Sequence, residues 1–185
     1  LAVETNHFIT LRPKHIIDLG YDLLPPVPET APADPAIWFI GSLKPANRKT
    51  GFLVETFDRL ARMATPLDRF RIHIAGPARP DQIAALHANH RVIYHGRLPR
   101  HELYRLLAEN PGIGVAFMNR EFHAAAPSLK FCEYAIMRYR ILASDTPGLR
   151  LQAQRMKLPG VTFMAEGAAL WAEALLKAAR EWEGL

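Results

Sequence analysis

Six short apolar runs, each followed by a loop and then a helical pattern, constrain this chain more than any other feature. They are AIWFIG (36–41), RIHIAG (71–76), RVIYHG (91–96), GIGVAF (112–117), RILAS (140–144) and GVTF (160–163). The runs are rich in Ile and Val and are mostly apolar on both faces, so each needs cover on two sides. That is the signature of buried parallel strands. Helical patterns occupy 51–64, 80–88, 100–109, 129–138 and 167–182, and the closing stretch ALWAEALLKAAREWEG (169–184) is amphipathic. Strands alternating with helices predict an α/β fold: a doubly wound parallel sheet of about six strands, with right-handed crossovers placing helices on both faces.

The runs begin only after a proline-rich stretch. Residues 22–36, DLLPPVPETAPADPA, hold five prolines and no helical period. They read as an extended linker, which divides the chain into a short segment 1–21, a linker 22–36 and a domain 37–185. The chain begins at Leu1 and reads as a piece of a longer protein, with 1–21 the tail of a preceding domain. With 185 residues, 49% of them hydrophobic, it is long enough for one full core. No apolar run approaches the roughly 20 residues that span a bilayer. The opening LAVETNHFITLRPKH lacks the basic region and apolar stretch of a signal peptide. The single cysteine, Cys132, excludes an internal disulfide and fits a reducing compartment.

Several chemistries have no foothold. There is no P-loop, and no G-x-G-x-x-G follows the first run; the two glycines of GIGVAF open a strand instead. A lone cysteine excludes zinc ribbons and dithiol redox motifs. His87 and His90 in LHANH lack a third ligand nearby, and no G-x-S-x-G elbow occurs. The 23 Lys and Arg against 18 Asp and Glu give a net charge of +5, which suits an anionic partner without choosing among ligand, nucleic acid and membrane.

What remains clusters at one edge. Three runs end in glycine, at Gly41, Gly76 and Gly96, and ligands of open α/β sheets bind beyond the carboxyl ends of the strands. The loop GSLKPANRKTG (41–51) follows the first run and carries Lys44, Arg48 and Lys49. Such a loop can aim cations and N–H groups at a phosphate. In PSLKFCEY (127–134), Ser128 is a suitable helix cap, and Lys130 then stands in the first helical turn. A cation there is unfavourable by roughly 0.3–1 kcal/mol. An anion bound between this helix start and the 41–51 loop relieves that charge; an i,i+3 pair with Glu133 is the alternative.

PSLKFCEYAIMRYRILASD resembles the nucleotide-sugar segment of GT-B glycosyltransferases, in which a Lys and, three residues later, a Glu or Gln open a helix that leads to a strand. The order IGSLKP, IAGP, YHGRLPRHELYRLLAENPGIGVAFM ahead of that segment is similar too, and DLGYD resembles the segment before the interdomain linker. The likeness covers most of residues 15–183 and looks closest to bacterial glucuronosyltransferases of polysaccharide assembly. It implies a carboxyl-terminal domain that binds a UDP-sugar, with no cofactor and no metal requirement. By position, Leu43 is expected to border the uracil, with Lys44 beside it in the basic loop. Arg97 and Leu98 would form the base wall, and Met118 would line the pocket. Leu129 and Lys130 would meet the ribose and phosphates, and Glu133 would face the ribose or sugar.

Two departures from the family pattern matter. The paired glutamates eight positions apart that retaining members often carry are absent, since Ala125 stands eight residues before Glu133; this favours the inverting branch. The usual glycine and proline of the following turn are replaced by Arg138 and Arg140, so the turn is expected to differ or to be less strained, which weakens SDTPGL (144–149) as a sugar-contacting loop. The resemblance further implies a saccharide or lipid-linked acceptor, a catalytic base on an amino-terminal domain, and no nucleic acid. It points to a cytoplasmic protein, peripheral to the inner membrane through the parent chain. A nucleotide-sugar 2-epimerase half shares the cleft but needs carboxylates near the sugar, where only Glu133 and Asp145 offer themselves. A flavodoxin-like regulatory or interaction module wants acidic residues after its first strands, and AIWFIGSLK has none.

Overall fold

The structure, a computed structural model, describes residues 34–44, 51–119 and 127–182. Residues 1–33, which hold the segment read as a preceding domain's tail and most of the linker, lie outside them. All six apolar runs are strands: β1 (Ala36–Ile40), β2 (Arg71–Ala75), β3 (Val92–Gly96), β4 (Gly112–Ala116), β5 (Arg140–Ser144) and β6 (Val161–Met164). They form one parallel sheet in the order β3-β2-β1-β4-β5-β6. The helices are α1 (Gly51–Met63), α2 (Pro80–His87), α3 (Arg100–Glu109), α4 (Leu129–Ile136), α5 (Pro147–Arg155) and α6 (Ala168–Arg180). β1 takes in Ala36, the last residue read as linker.

The period of two along β1 sorts the core into two layers. Ile37 and Phe39 face α1, α2 and α6, packing with Leu53, Phe57, Leu86, Trp171 and Leu175. Ala36 and Trp38 face α3, α4 and α5, packing with Tyr104, Leu107, Phe131, Tyr134 and Leu149. Both layers are closed, as a parallel sheet requires.

Helix α5 stands where the sequence reads as a loop. Its Pro-Gly start resembles a turn. Yet Thr146 caps the helix by accepting the Leu149 N–H at 3.3 Å, and Pro147 takes the first helical position, where a missing N–H costs nothing.

The turn after α4 corrects the expectation drawn from Arg138. The Tyr139 N–H donates to Tyr134 O (2.9 Å) and the Arg138 N–H to Ala135 O (3.1 Å), with Arg138 at φ 58°. This is a Schellman ending, whose left-handed position glycine usually fills. The chain keeps that geometry and places arginine in it. α5 ends the same way, with Lys157 at φ 51°.

Candidate functional site

After β1 the chain passes towards β2 and β3, and β4 begins the opposite half of the sheet. A sheet with this order opens a crevice at the carboxyl ends of its two central strands. The pairings show the parting. β1 follows β2 through Ile40↔Ala75, but follows β4 only from Ala36↔Gly112 to Trp38↔Gly114.

Glycines let the backbone close up around this crevice. Gly76 (φ 141°) lies so close to Gly41 that an added Cβ would sit 2.1 Å from Gly41 O. The Gly41 N–H donates to Ala75 O (2.9 Å) and the Gly76 N–H to Gly96 O, tying the three strand ends together. A Cβ on Gly41 would fall 3.3 Å from the Phe39 ring and 3.8 Å from Lys130 Nζ.

Helix α4 points its start at this edge. Ser128 has extended backbone (φ −121°, ψ 119°) and its hydroxyl accepts the Phe131 N–H at 3.4 Å. Gln152 of α5 clamps the cap from outside, accepting the Ser128 N–H at 3.0 Å and donating to Ser128 O at 3.2 Å. Lys130 is therefore the second helical residue, as the sequence implies. Its ammonium lies 4.8 Å from the centroid of the Phe39 ring, at the end of β1. A helix start, an ammonium and a glycine-walled strand end thus converge on one point, where anion binding is favoured.

The other expected residues fall along the same edge. Lys44 is exposed after β1, and its N–H donates to Ser42 Oγ at 3.3 Å. Arg48 and Lys49 lie outside the described residues. Arg97 is exposed after β3, and Leu98 is half-buried against the α3–α4–α5 layer. Met118 is half-buried after β4, with its N–H donating to Ser144 Oγ (2.9 Å). Leu129 is 48% exposed in the first turn of α4. Leu43 departs most from its assigned place. It is 0% exposed and belongs to the apolar layer under α1, while its backbone is held by Pro77 O (2.8 Å) and Gln82 Nε2 (2.9 Å). Its side chain presents no surface to a ligand here and instead anchors the loop that carries Lys44.

Glu133 is buried, and its Oε1 accepts the Tyr104 hydroxyl at 3.0 Å, while Arg100 donates Nε–H to the same hydroxyl at 2.5 Å. Burial, with the neighbouring Glu133 charge, raises the Tyr104 pKa despite Arg100, so the phenol keeps the proton it donates. This chain runs from the start of α3, beside Arg97 and Leu98, to the middle of α4. Reasoning from sequence missed Arg100 and Tyr104, because 29 residues separate Tyr104 from Glu133. Among the described residues no group of three His, Cys, Asp or Glu could hold a metal ion.

Fold and site together define a doubly wound, Rossmann-like α/β domain with an anion-favouring crevice at its switch point. No protein-family model and no curated relative matches the chain by sequence. Solved structures match its fold. A point mutant of TarM from S. aureus, in complex with fondaparinux, α-GlcNAc-glycerol and UDP, superposes with a TM-score of 0.69 at 14% identity, over 97% of this chain and 35% of that one. A UDP-forming α,α-trehalose-phosphate synthase from Burkholderia xenovorans gives 0.58 at 18% identity, over 80% of this chain and 37% of that one. These neighbours are GT-B glycosyltransferases, and the chain, spanning about a third of their length, shares the Rossmann-like fold with them.

Proposed function

We propose that this chain is the donor-binding domain of an inverting glycosyltransferase that moves a sugar from a UDP-sugar to a saccharide or lipid-linked acceptor. The observation that carries the reading is the placement of Lys130, at the second position of α4 with its ammonium over the end of β1 at the switch point. A diphosphate seated there meets the cation and the N–H groups of a helix start. As the sugar departs, both stabilise the charge that develops on the diphosphate. Tyr104 takes Oε1 of Glu133, and Oε2 is the atom we assign to the ribose or sugar. Arg97, Leu98 and Met118 line the way to the base. The inverting assignment rests on the missing second glutamate, and the glucuronate assignment rests on the sequence resemblance alone. The general base that activates the acceptor belongs, in this reading, to an amino-terminal domain of the same protein. Residues 1–21 and 22–35 are then its tail and the linker. The parent enzyme works in the cytoplasm, against the inner membrane.

Calorimetric titration with UDP, GDP and ADP tests this directly. UDP should bind with a Kd on the order of 10–1000 μM, because one domain encloses only part of the ligand. Preference for ADP or GDP would remove the uridine assignment. No binding of any of the three at millimolar concentration would remove the donor site itself.

A further inference from the structure

We infer that the Tyr134 hydroxyl is a positioning residue for the diphosphate site: it replaces the strand pairing lost where β1 and β4 part, and so fixes the helix that carries Lys130. The inference rests on the donor-site reading above and adds a residue to it.

The backbone groups of β1 face its two neighbours alternately. The Gly41 N–H points to β2, donating to Ala75 O, and the Ala36 N–H points to the β4 side, donating to Pro111 O (3.1 Å). By that alternation Trp38 and Ile40 also face β4. The β1–β4 ladder ends at Trp38↔Gly114, a pairing that already engages the Trp38 C=O, so the Ile40 N–H is the group with no strand beyond it to bond. One side chain meets that N–H and adds a second donor to the Trp38 C=O. The Ile40 N–H donates to Tyr134 Oη at 3.0 Å, and Tyr134 Oη–H donates to Trp38 O at 3.0 Å. A phenol can do both only while neutral, and complete burial raises its pKa well above the usual value.

The ring is seated by design of the sequence. A Cβ on Gly114 would lie 2.3 Å from the Tyr134 ring, so glycine is what lets the ring lie on β4 and reach β1. Lys130 is four residues earlier on the same helix, hence one turn closer to the crevice and on the same side. The hydroxyl therefore holds two backbone atoms of β1 at Trp38 and Ile40, while Lys130 reaches Phe39 and Gly41 between and beyond them. Hydrogen bonds are directional where apolar contacts are not, so this pair sets where the ammonium sits along β1.

The test compares Tyr134→Phe and Tyr139→Phe with the unaltered chain by titration with UDP and with uridine, at a temperature where thermal unfolding shows all three folded. Tyr139 is the control, since its ring stacks on Tyr134 (5.7 Å, 17°) and its hydroxyl bonds Leu107 O and Asn110 O at the opposite edge of the sheet. Both variants should lower the melting temperature. Tyr134→Phe should weaken UDP roughly tenfold and leave uridine within about twofold, the scale of one misplaced charge-assisted hydrogen bond. Tyr139→Phe should leave the UDP-to-uridine ratio unchanged. An unchanged ratio in Tyr134→Phe overturns the inference and leaves the donor site standing. Failure of the unaltered chain to bind UDP sinks both. If Tyr134→Phe does not fold, amide exchange of the unaltered chain decides. Saturating UDP, but not uridine, should slow exchange of the Ile40 N–H, and unchanged exchange overturns the inference.

Discussion

The two faces of the sheet are closed by different means. Under α1, α2 and α6 the layer is apolar contact: Ile37, Phe39, Leu53, Phe57 and Trp171 interdigitate. Its buried polar groups bond mostly nearby, Thr56 to Phe52 O (2.8 Å) and Trp171 to Ala165 O (2.9 Å). Under α3, α4 and α5 the polar groups reach between distant elements. Trp38 Nε1–H donates to Asn110 O (2.9 Å), Tyr134 bonds β1, Tyr139 bonds the end of α3, and Tyr104 joins Glu133. His73 and His95 share a hydrogen bond at 3.2 Å beside Trp38, whose ring lies 4.5 and 5.4 Å from theirs. Apolar burial stabilises without choosing an angle. Buried hydrogen bonds fix one, and leaving one partner unmade costs about 1–3 kcal/mol. The first face is a foundation. The second sets the geometry of the crevice.

That contrast can be broken on either side. The largest effect should come from the first face. Trp171→Ala removes a fully buried ring packed edge-on to Phe52 and Phe117, and should cost about 3–5 kcal/mol in denaturant unfolding. In whatever fraction stays folded, the ratio of UDP to uridine affinity should not change; a changed ratio would mean that this face also shapes the site.

Lys130→Ala should show the reverse. UDP binding should weaken by roughly 1.5–3 kcal/mol, and uridine binding should barely respond. Stability without ligand should shift little. Relief of about 0.3–1 kcal/mol at the helix start is offset by loss of a contact with Phe39 worth about 0.5–1 kcal/mol. A clear loss of stability with normal UDP binding would make Lys130 a structural residue.

The histidines sharpen the comparison through pH. Burial, then the neighbouring His95 and Arg71, lowers the His73 pKa to about 4, and burial lowers that of His95 against the pull of Glu102. In the unfolded chain both titrate near the usual value for histidine. As pH falls, the unfolded chain takes up protons first, so stability is complete above about pH 6.5 and drains away towards pH 4, by on the order of 2 kcal/mol for His73. Melting temperatures of the unaltered chain and of His73→Gln across that range measure it; equal slopes would remove the histidine pair as the cause.

The smallest effect lies at the end of α4. Arg138 holds a left-handed conformation that disfavours a side chain. Arg138→Gly should raise stability by about 0.5–1 kcal/mol in denaturant unfolding, since glycine meets no steric penalty there but costs some chain entropy. A loss would show that the arginine side chain holds the turn by contacts of its own.

Much of this protein is local, and what is local was legible. The six strands and five of the helices follow from periodicity, because an apolar face must find cover whatever the rest of the chain does. Ser128 as a cap and Lys130 at the second helical position follow from residue type and spacing alone. α5 was hidden by its Pro-Gly opening, although Thr146 before the proline is a cap signal in the sequence. What only the tertiary structure decided is which distant groups complete one another. Leu43 went inward to anchor its loop, and Glu133 was tied to Tyr104 and Arg100. Tyr134, an ordinary core aromatic in the sequence, became the partner of backbone groups 94 and 96 residues away. The reason is physical: burial of apolar residues is written as a pattern along the chain, whereas the partner of a buried polar group is set by which backbone the fold leaves unpaired beside it, and that depends on where two strands part in space.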